Sequence, residues 1–70
     1  MSSHAMKNVY ANCRAKDLEE SISNLEESVQ HCMAAISRAQ KAQFEDAYSS
    51  CEYAESCCKV ALDHLRELLP

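Results

Sequence analysis

Two stretches of the chain repeat apolar or small residues at alternating steps of three and four, and a single step of five separates them. The first runs Leu18, Ile22, Leu25, Val29, Cys32, Ile36, Ala39, and the second runs Phe44, Ala47, Cys51, Ala54, Cys58, Ala61, Leu65, Leu68. Steps of three and four track the 3.6-residue turn of an α-helix, so each stretch lays one stripe of side chains along one helix face. The step of five breaks the phase and marks the place where one helix stops and another starts. A sheet has no foothold here. The chain has no glycine and its one proline is Pro70, so the residues that shape hairpin turns between strands are missing.

Charge supports the break. Arg38 and Lys41 precede it, and Glu45 with Asp46 follow it. Cations are favoured at a helix C-terminus and anions at an N-terminus, so the inversion predicts a turn at Gln40 to Gln43. Reversing the chain between Lys41 and Ala42 pairs Ile36 with Ala47, Cys32 with Cys51, Val29 with Ala54, Leu25 with Cys58, Ile22 with Ala61 and Leu18 with Leu65. Several of these layers set a large residue against a small one, which permits close packing. Upstream, Asp17 and Glu20 resemble a capping box, yet Ala11, Ala15 and Leu18 carry the stripe through without a phase change, which favours one continuous helix. The expected fold is all-α: an antiparallel helical hairpin over residues 5–70, coiled-coil-like with an alanine-rich seam. Its parts are a helix at 5–40, a turn at 40–43 and a helix at 44–69. Residues 1–4 are set apart as a disordered N-terminus or a remnant of a cloning vector.

The second helix carries more apolar surface than one neighbour can cover. Tyr53, Cys57, Val60 and His64 form a stripe on one shoulder, while Tyr48, Leu62 and Leu69 extend the other. At 70 residues a single core is small, and such chains are commonly completed by association. The expected interface residues are therefore Tyr48, Tyr53, Cys57, Val60, Leu62 and Leu69, and the expected assembly is a homodimeric four-helix bundle. The function expected from this is oligomerisation, scaffolding or protein–protein interaction by helix packing. The alternative is a binding module that accepts a helix from a different protein.

Other classes find little support. A net charge of -4 and scattered basic residues argue against nucleic acid and anionic membrane as partners. No apolar run approaches a membrane span, and no signal-peptide pattern opens the chain. Five cysteines, an odd number in a chain without glycine and with one proline at its last position, suit reduced thiols in the cytoplasm or nucleus better than a secreted disulfide framework. Cys51, Cys57, Cys58 and His64, with His31 and Cys32, are the one cluster of metal-ligand types and make a metal or thiol-redox protein the second alternative. Their spacing weighs against it, because seven residues span about 10.5 Å of helix and a zinc ion holds its ligands within about 2.3 Å. No metal, cofactor or small-molecule substrate is expected. Catalysis is not expected either: Asp17, Glu19, Glu20, Glu26 and Glu27 read as a solvated helix face, and adjacent His31 and Cys32 diverge by about 100°. The alanine and tyrosine rhythm from Ala47 to Leu62 lacks the Trp, Gly and Pro markers of tetratricopeptide helices, and Cys13, Cys32 and Cys51, though evenly spaced, lie in unrelated contexts. No family is assigned.

Overall fold

The computed structural model describes the backbone from Ser2 to Pro70 and side chains from Cys13 onward. It contains two helices, α1 (Ser2–Gln40) and α2 (Phe44–Leu68), packed against each other as an antiparallel hairpin. The helix α1 runs unbroken through Lys16 and Asp17 and takes in Ser2, Ser3 and His4; Met1 lies outside the described residues. The molecule measures 62 × 14 × 14 Å, and its radius of gyration of 17.1 Å compares with about 11 Å for a compact domain of this length. It is a rod two helices wide.

The turn is built without glycine. Gln43 N–H donates to Arg38 C=O at 2.8 Å and Ala42 N–H donates to Ala39 C=O at 3.0 Å. These are the two bonds of a Schellman motif, which satisfies carbonyls left open at a helix C-terminus. The motif needs a left-handed residue at its penultimate position, and Ala42 occupies it with φ of 60°. The α2 helix then starts after Gln43, whose side chain makes no capping bond, and Glu45 and Asp46 in the first turn face the positive end of the helix dipole.

The helices meet through small residues. Among the described residues those that are buried are Ser21, Ser28 and Ala35 of α1 and Ala47, Ser50, Ala54 and Ala61 of α2. Ala47, Ala54 and Ala61 of α2 lie in the packing seam, as their spacing implied, whereas Phe44, Cys51 and Cys58 of the same expected stripe are exposed and Ser50 takes a buried place instead. The partner line on α1 is a correction. The expected stripe of Leu18, Ile22, Leu25, Val29, Cys32 and Ile36 faces solvent, and the seam lies one residue earlier, at Ser21, Ser28 and Ala35. The register of the hairpin stays near the expected one, with Ser28 bonded to Ala54 and Asp17 to His64, but α1 is rotated by about 100° from the expected face. Close approach explains the choice. A serine or alanine at every seventh position on both helices lets the backbones come near enough for Ser28 Oγ to donate to Ala54 C=O at 2.9 Å. Ile22, Val29 or Ile36 in the same places would hold the helices apart.

Polar groups in this seam are satisfied. Ser21 Oγ donates to Asp17 C=O at 2.7 Å, Arg38 donates to Ser50 Oγ, and no buried side-chain nitrogen or oxygen among the described residues lacks a partner. Near the open end His64 Nδ1 donates to Asp17 Oδ1 at 2.9 Å. On the outer surface Lys59 and Glu55 pair at 3.0 Å, an exposed i,i+4 ion pair of small energetic consequence.

Candidate interaction surface

The rotation of α1 has a geometric result. In an antiparallel pair the two helices wind in mirrored senses when viewed along the hairpin, so the residue after a seam position swings to the same side of the pair on both helices. On α1 those residues are Leu18, Ile22, Leu25, Val29, Cys32 and Ile36, following Asp17, Ser21, Asn24, Ser28, His31 and Ala35. On α2 they are Tyr48, Cys51, Cys58, Leu62 and Leu65, following Ala47, Ser50, Cys57, Ala61 and His64, with Leu69 just past the helix end after Leu68. One side of the hairpin is therefore apolar along its length, with Phe44 near its turn end and Glu55 as its one charged member. Its large residues are open to solvent: Leu25 is 41% exposed, Val29 57%, Leu62 57% and Tyr48 68%.

The opposite side is formed by the residues before the seam positions. It presents Lys16, Glu20, Ser23, Glu27 and Gln30 from α1, and Asp46, Ser49, Tyr53, Ser56, Val60 and Asp63 from α2. This side is polar, with Ala34, Tyr53 and Val60 as isolated exceptions. The expected interface residues thus divide. Tyr48, Leu62 and Leu69 lie on the apolar side, Tyr53 and Val60 on the polar side, and Cys57 sits half-buried between the helices.

The chain exposes more surface than a compact domain of its mass. Its accessible surface is 5709 Å², whereas a folded monomer of 7.9 kDa is expected to expose about 4,400 Å². The difference follows from the rod shape of the hairpin. No Leu, Ile, Val, Met, Phe or Tyr among the described residues is buried, so the hairpin by itself encloses alanine and serine only.

The cysteines separate in the same way. All five are free; Cys51 and Cys58 are exposed on the apolar side, and Cys58 Sγ lies 3.0 Å from Ser28 Oγ. Cys32 and Cys51, which a shared layer would have brought together, are both exposed and unpaired. Cys57 points the other way, with its Sγ 3.8 Å from Glu27 Oε2. Burial pushes its thiol above the ordinary value of 9.0, and the negative charge and hydrogen bond of Glu27 push it further, with a smaller contribution from Cys58. The His31 ring stacks on Tyr53 with centroids 5.4 Å apart. His31 therefore turns toward α2, which its adjacency to Cys32 in sequence does not suggest.

Depressions in the surface are shallow. One, lined by Arg14, Ala15, Leu18 and Leu68, lies where α2 ends against α1, and another opens beside the turn at Gln43 to Asp46. Neither joins titratable groups of complementary roles in the way a catalytic site requires. Among the described residues no helix is long and apolar enough to cross a membrane. Comparisons of the chain with protein-family models, with curated proteins and with solved structures find no match.

Proposed function

We propose that the chain is a self-association module in which two hairpins pack their apolar sides together as a four-helix bundle. The supporting observation is the division of residue sizes: small side chains fill the seam within the hairpin, and the large ones line one outer side. Two such sides laid together would supply the layer of Leu, Ile, Val and Tyr that a single hairpin lacks. Burial drives the association, at about 25 cal/mol per Å² of apolar surface removed from water. Of the expected interface residues, Tyr48, Leu62 and Leu69 fall within this contact, joined by Ile22, Leu25 and Val29. The module performs no chemistry of its own. It acts in the cytoplasm or nucleus, where its thiols stay reduced.

The test is sedimentation equilibrium under reducing conditions on the parent chain and on two variants. The parent should be dimeric, with an unfolding midpoint that rises with protein concentration. Val29→Glu, in the middle of the apolar side, should abolish the dimer, and Val60→Glu, on the polar side, should leave it intact. A parent chain that remains monomeric and cooperatively folded at high concentration would refute self-association. In that case the same side would have to receive a helix from a different protein.

A further inference from the structure

At the edge of the seam that borders the polar side, the hairpin brings a residue of α2 against two residues of α1. One donor atom each from the Glu27 carboxylate, the His31 ring and the Cys57 thiol lie within 4.8 Å of one another. Glu27 and His31 are four residues apart on α1, so they stand one turn above the other on one helix face. Cys57 comes across from α2. We propose that Glu27, His31 and Cys57 form a zinc site that bridges the two helices near the middle of the hairpin.

The donor set selects the metal class. Calcium and magnesium take oxygen ligands, and copper(I) prefers thiolate and thioether sulfur, whereas zinc accepts imidazole, thiolate and carboxylate together. Bond lengths of about 2.0–2.3 Å in a tetrahedral arrangement put donors roughly 3.3–3.8 Å apart. Cys57 Sγ and Glu27 Oε2 already stand at 3.8 Å. Bringing the remaining donors in from 4.8 Å requires a closure of about 1 Å, within reach of side-chain rotation on fixed helices. The His31 ring is held against Tyr53, which restricts its orientation. Three protein ligands leave one tetrahedral position for water or a further ligand.

Binding exchanges a proton for a metal. The Cys57 thiol gives up its proton to solvent as the Zn–S bond forms, and no electron moves. The ion also neutralises the charge that Glu27 places beside the sulfur. Because its ligands come from both helices, zinc tethers α1 to α2 and favours the folded hairpin by mass action. The site is on the side away from the apolar surface, so it is open in the single hairpin and in the proposed dimer, and its test stands apart from the test of association.

The experiment uses tag-free protein under a non-chelating reductant, with Cys13, Cys32, Cys51 and Cys58 replaced by serine so that Cys57 is the one thiol. Cobalt(II) serves as the spectroscopic probe. Saturable binding of one cobalt per chain is expected, with a thiolate-to-cobalt charge-transfer band that zinc abolishes by displacement. Cys57→Ala should remove the band, and His31→Gln or Glu27→Gln should weaken binding by roughly tenfold or more. Helical circular dichroism of each metal-free variant establishes that it is folded. If the four-serine background does not fold, the rise in thermal midpoint on adding zinc is compared in the parent chain and in Cys57→Ser, where it should be lost. No saturable binding, binding unchanged by loss of Cys57, or one ion shared by two chains would each overturn the proposal.

Discussion

Ala42→Gly should stabilise the protein, and the sign of the effect distinguishes a turn at Gln40 to Gln43 from a single bent helix running through those residues. Ala42 sits at φ of 60° in the Schellman turn. An L-residue with a Cβ pays about 1–2 kcal/mol in the left-handed region because the Cβ crowds the following carbonyl. Glycine avoids that cost but loses about 0.4–1 kcal/mol by enlarging the entropy of the unfolded chain. The net gain is about 0.5–1 kcal/mol per chain, which corresponds to a rise of several degrees in thermal midpoint for a domain of this size. A continuous bent helix through Gln40 to Gln43 would give the opposite sign, since glycine in a helix interior costs about 1 kcal/mol relative to alanine. Ala39→Gly, an exposed position inside α1, is the control and should show that loss. Urea unfolding followed by helical circular dichroism measures both variants at one fixed protein concentration, because association would otherwise shift the midpoint. Destabilisation by Ala42→Gly comparable to that of Ala39→Gly would refute the turn.

Two further perturbations probe the seam. Ala54→Leu places a branched side chain where α1 approaches closely enough to bond the Ala54 carbonyl, and overpacking should cost about 1–3 kcal/mol in urea unfolding; unchanged stability would mean the helices are not in close contact there. Cys57 makes stability fall in alkali. Its folded pKa is raised, so above pH 9.0 the unfolded thiol ionises first, the unfolded state binds fewer protons, and stability declines until the folded value is passed. The decline should be steeper in the parent chain than in Cys57→Ser, and equal slopes would contradict the placement of Cys57 beside Glu27.

The helices and their break were legible because both signals are local. A rhythm of three and four needs only chain neighbours to define a helical stripe, and the inversion from Arg38 and Lys41 to Glu45 and Asp46 needs only the end of one helix dipole and the start of the next. The rotation of α1 was less accessible. That helix carries two heptad lines one residue apart, large residues at Ile22, Val29 and Ile36 and small ones at Ser21, Ser28 and Ala35. Hydrophobicity selects the first as the seam. The second was nevertheless visible as the counterpart of Ala47, Ala54 and Ala61, since small residues at every seventh position on both helices permit a close approach that larger ones prevent. Ala42 escaped for a different reason: turn propensity points to glycine at a left-handed position, and here an alanine occupies it within the local bonds of the Schellman turn. The grouping of Glu27, His31 and Cys57 needs register and rotation together, and the spacing of cysteines along α2 carries neither.

The arrangement of sizes also bears on why the seam is made of alanine and serine at all. Fully burying one leucine or isoleucine contributes about 1.5–3 kcal/mol, so a hairpin that must stand alone is best served by large residues between its helices. This chain has such residues and places them outside, while the buried positions hold Ser21, Ser28, Ser50 and four alanines. The loss is recovered only if something covers Leu18 to Ile36 and Tyr48 to Leu69. Close approach of the helices then becomes useful, because it sets the two large-residue stripes side by side as one continuous surface. A two-fold axis through the middle of that surface would bring each stripe against a stripe of the second copy, with the same patch serving on both partners. The small seam thus leaves the hairpin with one flat apolar side, and in the proposed dimer the same side of a second copy would cover it.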